Sequence, residues 1–323
     1  MGHMENYEQM MTASSMYYLQ DVKMETIASH LHMSRSTVSR LLKRARESGL
    51  VEINLRPTPT RAPGAGNSIS HTFGVEAYVV PVSSVASDAE RLDQVAMTTA
   101  RTITGWFHSD MVLGVAWGTT LSAVAKHLNK KPTRGSTIVQ LNGAANIRTS
   151  GRDYVGGLIS RFAEAFEASV QLFPVPAFFD FAETRKAMWN ERSIARVLDF
   201  QRRADIALFS IGAITGRVPS HVYSGGYLEK EDIEILNDEE VVGDVCTVFL
   251  RADGTYEDLS LNQRATGPTP KELKRIPIRV CAVSGNNKVI PLLAALRAGV
   301  ITHLVIDEQT ATKLVALIDA SQS

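Results

Sequence analysis

The chain has 323 residues, 44% of them hydrophobic and 21% charged, and its 34 basic residues balance its 34 acidic ones. This composition excludes a disordered or fibrous chain, and the length predicts about two domains. No run approaches the roughly 18 consecutive apolar residues of a membrane span. The two cysteines, Cys246 and Cys281, belong to no ligand cluster. We therefore expect a cytoplasmic protein without disulfide bonds, bound metal or cofactor.

The first 56 residues combine helical periodicity with a local excess of positive charge. Apolar spacing predicts helices over residues 10–19 and 23–31. A third helix, over residues 35–48, follows Ser34, a typical N-cap residue. Residues 50–55 are typical of a short wing strand.

Two short helices joined by a tight turn form a helix-turn-helix unit, and the second helix of such a unit enters the DNA major groove. His32 occupies the turn position where glycine is usual. A solvated face on a small helical dimerisation module is the other interpretation of the basic run. The candidate DNA-binding residues are Ser34, Arg35, Ser36, Thr37, Ser39, Arg40, Lys43 and Arg44.

Three prolines and two glycines between residues 57 and 66 predict a linker, because they cannot continue a helix or a central strand. We expect a helix-turn-helix DNA-binding domain over residues 1–56. An effector-binding and oligomerisation domain follows over residues 67–323.

Apolar runs alternate with helical stretches after the linker, which predicts an α/β domain with a parallel sheet covered on both faces. The predicted strands cover residues 76–81, 111–116, 137–141, 169–173, 205–211, 245–250, 279–283 and 302–306. The predicted helices include residues 88–106, 121–128 and 289–297.

Ligands of such sheets bind in the loops after the strands, and four of these loops are rich in glycine, hydroxyl or amide groups. They are 114–120, 140–143, 210–214 and 284–288, the last with Lys288 beside a helix start. Backbone N–H groups, Thr119 and Thr120 would form an anion cradle. Neither a GxxxxGK[ST] nor a GxGxxG pattern is present, which disfavours ATP and NAD. A phosphate on a hydroxyl-rich sugar suits these loops, and ordinary strand–helix turns are the alternative.

Two further candidates have equally ordinary interpretations. Asp253 could accept hydrogen bonds from sugar hydroxyls, or Asp253-Gly254 could form a plain hairpin turn. Trp117 could stack on a sugar ring or belong to the core. The scattered histidines, among them His221, are more typical of surface or structural positions.

Taken together, these motifs resemble the SorC family of sugar-binding bacterial transcriptional regulators, which includes deoxyribonucleoside and central-glycolysis regulators. The resemblance covers almost the whole chain. It is carried by residues 33–42, 114–120, 140–143, 243–254, 284–288 and 294–308.

The resemblance implies a winged helix-turn-helix head on an effector domain related to sugar-phosphate isomerases, assembled as a homotetramer or dimer of dimers. It implies that Gly118, Thr119, Thr120 and Lys288 bind a phosphate and that Gln140, Asn142 and Asp253 face sugar hydroxyls. The complete set of candidate effector-binding residues is Gly114, Trp117, Gly118, Thr119, Thr120, Gln140, Asn142, Gly143, Asp253, Ser284, Gly285 and Lys288.

We therefore expect a transcriptional regulator, a repressor of a carbohydrate or nucleoside catabolic operon, whose partners are operator DNA and a phosphorylated sugar or polyol. It is not expected to be an enzyme. The alternative is a sugar-phosphate isomerase or deaminase with Asp253 and Lys288 as acid–base candidates, but that hypothesis leaves the basic head unexplained. A constitutive architectural DNA binder would leave the four loops without a purpose.

Overall fold

The computed structural model describes residues 2–20, 22–51, 64–146, 150, 155–215 and 220–322. The chain divides into two compact units, Met1–Thr58 and Pro59–Ser323. In the described ranges, every helix is too short or too polar to cross a membrane.

In its described residues, the first unit contains three helices around a small apolar cluster. Helices α1 (Gly2–Ser14), α2 (Met24–His30) and α3 (Arg35–Glu47) are present, and a π-helical turn, Ser15–Leu19, extends α1. Ser34 caps α3, because its Oγ accepts a hydrogen bond from the Thr37 N–H at 3.1 Å. The apolar stripe of α3 is buried, as its spacing predicts, and consists of Val38, Leu41, Leu42 and Ala45.

The turn between α2 and α3 places His32 in the left-handed region, with φ of 53°. Gly49 ends α3 with φ of 75°, a conformation that costs glycine little. Residues 52–55 of the predicted wing strand lie outside the described residues.

The second unit begins with a helix where the sequence predicts the end of the linker. Helix α4 (Ala65–Phe73) includes Ala65 and Gly66, and Gly66 is buried against strand β1 (Glu76–Val80). The assignment of these two residues to a linker is therefore wrong, because close packing fixes them in a helical turn. Residues 57–63 lie outside the described residues.

The remaining elements of the second unit alternate along the chain. The strands are β2 (Val112–Val115), β3 (Thr137–Gln140), β4 (Ser169–Gln171), β5 (Ile206–Phe209), β6 (Ile211–Ala213), β7 (Val241–Val245), β8 (Val248–Arg251), β9 (Ile278–Val283) and β10 (His303–Asp307). The helices are α5 (Asp88–Trp106), α6 (Thr119–Lys126), α7 (Gly157–Phe166), α8 (Ala182–Trp189), α9 (Arg192–Arg202), α10 (His221–Ser224), α11 (Lys230–Asp238), α12 (Pro270–Leu273), α13 (Val289–Arg297) and α14 (Glu308–Gln322). Short 3₁₀ turns cover Ser260–Gln263 and Asn286–Lys288.

Seven strands form the parallel sheet that the sequence predicts, in the order β1-β10-β9-β5-β2-β3-β4. Alternate side chains of the central strands enter different apolar clusters, as with Val305 on β10 in one and Leu304 and Ile306 in the other. Because the chain proceeds from β2 towards β4 and from β5 towards β10, the sheet has a switch point between β2 and β5. In open α/β sheets, ligands bind in the crevice at such a point.

Strands β6, β7 and β8 form a second, antiparallel sheet. The predicted single strand over residues 245–250 is wrong, because Cys246 and Thr247 form a two-residue turn with φ of 51° and 68°. Positive φ at both central residues is the type I′ hairpin geometry, which Asn-Gly usually signals. An Asp244 side-chain oxygen accepts the Thr247 N–H at 3.0 Å and holds the turn.

His32→Gly is expected to stabilise the first unit by about 0.5–1 kcal/mol, because a non-glycine residue pays a steric penalty in the left-handed region. Hydrogen exchange of the α2 and α3 amides would measure the change apart from the second unit. His30→Gly, inside α2, is the matched control and should destabilise by about 1 kcal/mol. Equal destabilisation by both substitutions would contradict the strain at His32.

Candidate functional site

A cleft of about 500 Å³ opens at the switch point of the large sheet. The segments that follow β2 and β5 form its floor, and the β7–β8 turn and the start of α10 form its walls. Its lining residues are Ala116, Trp117, Gly118, Thr119, Thr120, Asn142, Ser210, Ile211, Gly212, Ser220, His221, Val222, Asp244, Cys246, Thr247 and Lys288.

One end of the cleft is cationic and rich in hydroxyl groups. The Lys288 Nζ lies 3.4 Å from Thr120 Oγ1 and 3.5 Å from Ser210 Oγ, and these two oxygens are 3.2 Å apart. Helix α6 begins here with Gly118 as its N-cap, at φ of 150°. A helix start presents unpaired N–H groups and a partial positive charge, so this end suits an anion. Burial lowers the pKa of Lys288.

A buried carboxylate also lines the cleft. Asp244 on β7 is only 4% exposed, and its Oδ1 forms no well-aligned hydrogen bond in the described part of the chain, although the Tyr223 hydroxyl acts on its pKa. Burial raises the pKa of Asp244 to about 6, against the opposing effects of the Tyr223 hydroxyl, the Thr247 N–H and Lys288. The Oδ1 of the buried Asn142 also has no partner within the described ranges. Two unpaired acceptors in one cleft suit a ligand that donates hydroxyl hydrogens.

Trp117 forms part of a fixed aromatic wall. Its Nε1 donates to the Gly143 carbonyl at 2.8 Å, and its ring stacks on Tyr227 with centroids 5.0 Å apart. The His221 ring lies edge-on to Trp117 at 6.0 Å. Since one face of the indole is covered by Tyr227, Trp117 serves the core as well as the cleft.

The structure brings together half of the predicted effector-binding residues. Those that line the cleft are Trp117, Gly118, Thr119, Thr120, Asn142 and Lys288.

Three others support the cleft from behind. Gln140 is fully engaged, because its Nε2 donates to the Asn142 carbonyl at 2.7 Å and its Oε1 accepts the Phe173 N–H at 3.1 Å. A side chain at Gly114 would collide with Leu141. The Gly143 N–H donates to Thr266 Oγ1 at 3.0 Å.

The last three lie elsewhere. Asp253 is exposed in a turn after β8 with Gly254 at φ of 91°, and its Oδ1 accepts the N–H of Thr255 at 2.9 Å. The Asp-Gly pair therefore forms the plain turn that was the alternative interpretation. Ser284 and Gly285 precede the 3₁₀ turn of Lys288, and the Gly285 N–H donates to Asp307 and Thr310.

Sequence reasoning missed Asp244, Cys246, Thr247 and His221 as cleft residues. Cys246 and Thr247 form the turn in the middle of the predicted strand over residues 245–250, and Asp244 lies on β7 directly before that predicted strand. The sequence offers one local signal, Asp244, because an aspartate side chain often accepts a hydrogen bond from a backbone N–H a few residues later in a turn. His221 was interpreted as structural, and its ring contacts support that role although it also lines the cleft. Among the described residues, no cluster of three or more potential metal ligands occurs.

The predicted DNA-binding side chains lie mostly on the exposed face of α3. Arg35, Ser36, Ser39, Arg40 and Arg44 are exposed, whereas Thr37 is half-buried. Lys43, also exposed, has a local interaction of its own.

Two members of this set make local contacts that fix their direction. Arg35 pairs with Glu25 at 3.2 Å, and the Arg40 Nη2 donates to Thr37 Oγ1 at 3.3 Å. Ser34 serves as the N-cap.

Comparison with known proteins identifies relatives along nearly the whole chain. Residues 63–316 match the family model described as "Putative sugar-binding domain". The deoxyribonucleoside regulator of Bacillus subtilis is 30% identical over 94% of this chain and 96% of its own length. The sorbitol operon regulator of Klebsiella pneumoniae is 25% identical over 93% and 95%.

Solved structures agree with this assignment. A domain of a "possible sugar-binding transcriptional regulator" from Arthrobacter aurescens is 48% identical, with a TM-score of 0.75 over 81% of this chain and all of that one. The full-length sorbitol operon regulator SorC of Klebsiella pneumoniae has a TM-score of 0.83 over 96% and 98%, at 24% identity. The latter likeness shows the fold alone.

Asp244→Asn is expected to raise the free energy of unfolding of the unliganded protein at pH 7 by up to about 3 kcal/mol. The native pKa of about 6 exceeds the ordinary 3.8, so the native state binds the proton more tightly than the unfolded chain. The wild type therefore loses stability as the pH rises from about 4 to above 6, and the variant does not. Thermal unfolding of both proteins between pH 4.5 and 7.5 measures the difference.

Asp253→Asn is the matched control, and its effect on the free energy of unfolding should depend on pH in the opposite direction. The Thr255 N–H lowers the pKa of the exposed Asp253, so this carboxylate contributes stability that is lost as the pH falls. A pH-independent gap between Asp244→Asn and the wild type would show that the carboxylate is not strained by burial.

Proposed function

Because the chain belongs to the SorC family of sugar-binding transcriptional regulators, we propose that it is a DNA-binding regulator controlled by a phosphorylated sugar or polyol. Two of its relatives are named deoxyribonucleoside regulator and sorbitol operon regulator. The regulated operon accordingly serves carbohydrate or nucleoside catabolism, and the regulator acts in the cytoplasm as a repressor.

The observation that carries the proposal is the polarity of the cleft at the switch point. At one end, Lys288, Thr120 and the start of α6 lie together, and a phosphate bound there would contact all three. A phosphate there gains charge-assisted hydrogen bonds and the helix dipole.

The unpaired acceptors of the cleft are suited to the hydroxyl groups of the ligand. The unpaired oxygens of Asp244 and Asn142 accept hydrogen bonds and offer none in return when Asp244 is ionised. A sugar or polyol supplies the matching hydroxyl donors. A plain alkyl phosphate would leave both acceptors buried without partners, at a cost of roughly 1–3 kcal/mol each.

Helix α3 is the DNA-reading element of the proposal. Its exposed face carries arginines and hydroxyls, and its apolar face is buried, so it can enter the major groove without losing its own packing. Paired heads in a homotetramer or dimer of dimers would read two half-sites. The ligand controls DNA affinity by binding one arrangement of the subunits more tightly than another.

An enzyme is the second candidate, and one observation favours it. Burial raises the pKa of Asp244 and lowers that of Lys288 within one cleft, and groups perturbed in this way serve as acids and bases in isomerases. We propose binding without turnover, because the cleft's ionisable pair is explained by recognition and the relatives are regulators. Conversion of a sugar phosphate by the full chain, lost in Asp244→Asn, would reverse this choice.

Lys288→Ala is expected to weaken binding of the phosphorylated sugar by about 10- to 100-fold, since a charged hydrogen bond contributes about 1.5–3 kcal/mol. Calorimetric titration with a panel of pentose, hexose and polyol phosphates measures it, beside the same compounds without phosphate. The exposed Lys313→Ala on α14 is the control and should bind normally. If the unphosphorylated compounds bind best and Lys288→Ala is indifferent, the phosphate end is assigned wrongly.

Arg40→Ala is expected to weaken DNA binding by about 1–3 kcal/mol while sugar-phosphate affinity stays unchanged. Titration of a DNA fragment selected by the wild type from a random library measures this at several salt concentrations. If Arg40 contacts a base, its loss relaxes the sequence preference. If Arg40 contacts a phosphate, its loss lowers the slope of the salt dependence by about one. Lys126→Ala, an exposed cation on α6, is the control. Unchanged DNA affinity in Arg40→Ala would remove α3 from the interface.

A further inference from the structure

A second cleft, of about 570 Å³, shares no lining residue with the cleft described above. Its apolar lining comes from Leu141, Trp189, Leu198, Pro268 and Ile276. Its remaining lining residues are Arg185, Gln201, Arg202, Thr266, Gly267, Glu272 and Arg275. Three arginines against one glutamate make an apolar cleft with a positive margin.

The guanidinium of Arg185 on α8 lies over an aromatic ring. Its guanidinium carbon lies 4.8 Å from the centroid of the Trp189 ring. The Trp189 ring is fixed in turn by edge-on contacts with Phe173 at 5.6 Å and Phe179 at 6.0 Å. A cation over an indole face gains attraction from the ring and loses freedom to turn away.

The hydrogen-bonding edge of this guanidinium is largely unused. Its hydrogen bond in the described part of the chain runs from Nη1 to the Gln263 carbonyl, at 3.5 Å. Its Nε is buried and has no partner there. The Nε/Nη2 edge is the fork that binds a carboxylate or a phosphate through two parallel hydrogen bonds.

The acidic residue nearest in the lining does not neutralise Arg185. The Glu272 Oε2 accepts the N–H and the hydroxyl of Thr269, both at 2.8 Å, in the cap of α12. Arg202 pairs with Asp199 at 3.6 Å, and Arg275 is exposed. Burial lowers the pKa of Arg185, and the charge of Glu272 opposes this effect only in part.

We propose that this second cleft binds a small organic oxyanion, a carboxylate or phosphate ester, with an apolar body. The oxyanion binds the Nε/Nη2 edge of Arg185, and the apolar body contacts Leu141, Leu198 and Ile276. Bidentate recognition supplies orientation, and burial of the apolar body supplies affinity. This site is independent of the sugar-phosphate cleft and of the proposed function.

The experiment uses the full chain and four probes in calorimetric titrations: phenylacetate, phenyl phosphate, the neutral 2-phenylethanol and inorganic phosphate. One or both aromatic anions should bind. The one that binds more tightly shows whether the site prefers a carboxylate or a phosphate. The neutral alcohol lacks the anion and inorganic phosphate lacks the apolar body, so both should bind at least about tenfold more weakly.

Substitutions test whether the aromatic anion binds at Arg185. Arg185→Leu should reduce affinity for the aromatic anion by about tenfold or more, and Arg185→Lys, which keeps the charge without the fork, should fall between. Arg203→Leu is the matched control: Arg203 also lies over an aromatic ring, 4.8 Å from the centroid of Phe200, but does not line the cleft. Lys288→Ala should bind the probe normally.

Several outcomes would overturn the site. They are failure of both aromatic anions to bind, unchanged affinity in Arg185→Leu and Arg185→Lys, and loss of probe binding in Lys288→Ala, which would place the anion in the other cleft. A fall in the light-scattering mass of Arg185→Leu would instead identify the cleft as a contact between copies of the chain.

Discussion

The reversal of strand order between β2 and β5 is the constraint on which the rest of the second unit depends. The two strands are hydrogen-bonded neighbours, and the chain continues from them towards opposite edges of the sheet, which leaves a crevice at their carboxyl ends. The crevice is the natural place for a ligand of this domain, because most of the large sheet is packed against helices and apolar side chains. The β7–β8 turn completes it from a separate sheet.

Two ionisable groups of opposite sign give the crevice a direction. Burial disfavours the charge on both Asp244 and Lys288, and each partly offsets the penalty on the other. Neither group forms a close ion pair in the described residues, so both charges act on whatever occupies the cleft. In the proposed complex, the anionic end of the ligand lies at Lys288 and its hydroxyl groups lie at Asp244.

Much of this architecture is predictable from the sequence, because local signals and tertiary structure agree there. The bounds of α5 and α13 coincide with the predicted ones, and Thr119, Thr120 and Lys288 lie at strand–helix junctions that short motifs mark. The β7–β8 turn was not predictable in the same way. Cys246 and Thr247 carry no turn signal, and their positive φ values are stabilised by contacts of Asp244. The prediction that Asp253 contacts the effector failed for a different reason. The Asp-Gly pair correctly marks a turn, but a turn signal does not show whether the turn lies near the cleft.

Gly212 carries a consequence for the position of the Asp244 carboxylate. A Cβ built on Gly212 would lie 1.7 Å from the Asp244 Oδ1. A side chain at position 212 would therefore displace the Asp244 carboxylate or require its loss. The absence of a side chain at Gly212 thus fixes where the carboxylate lies beside the cleft.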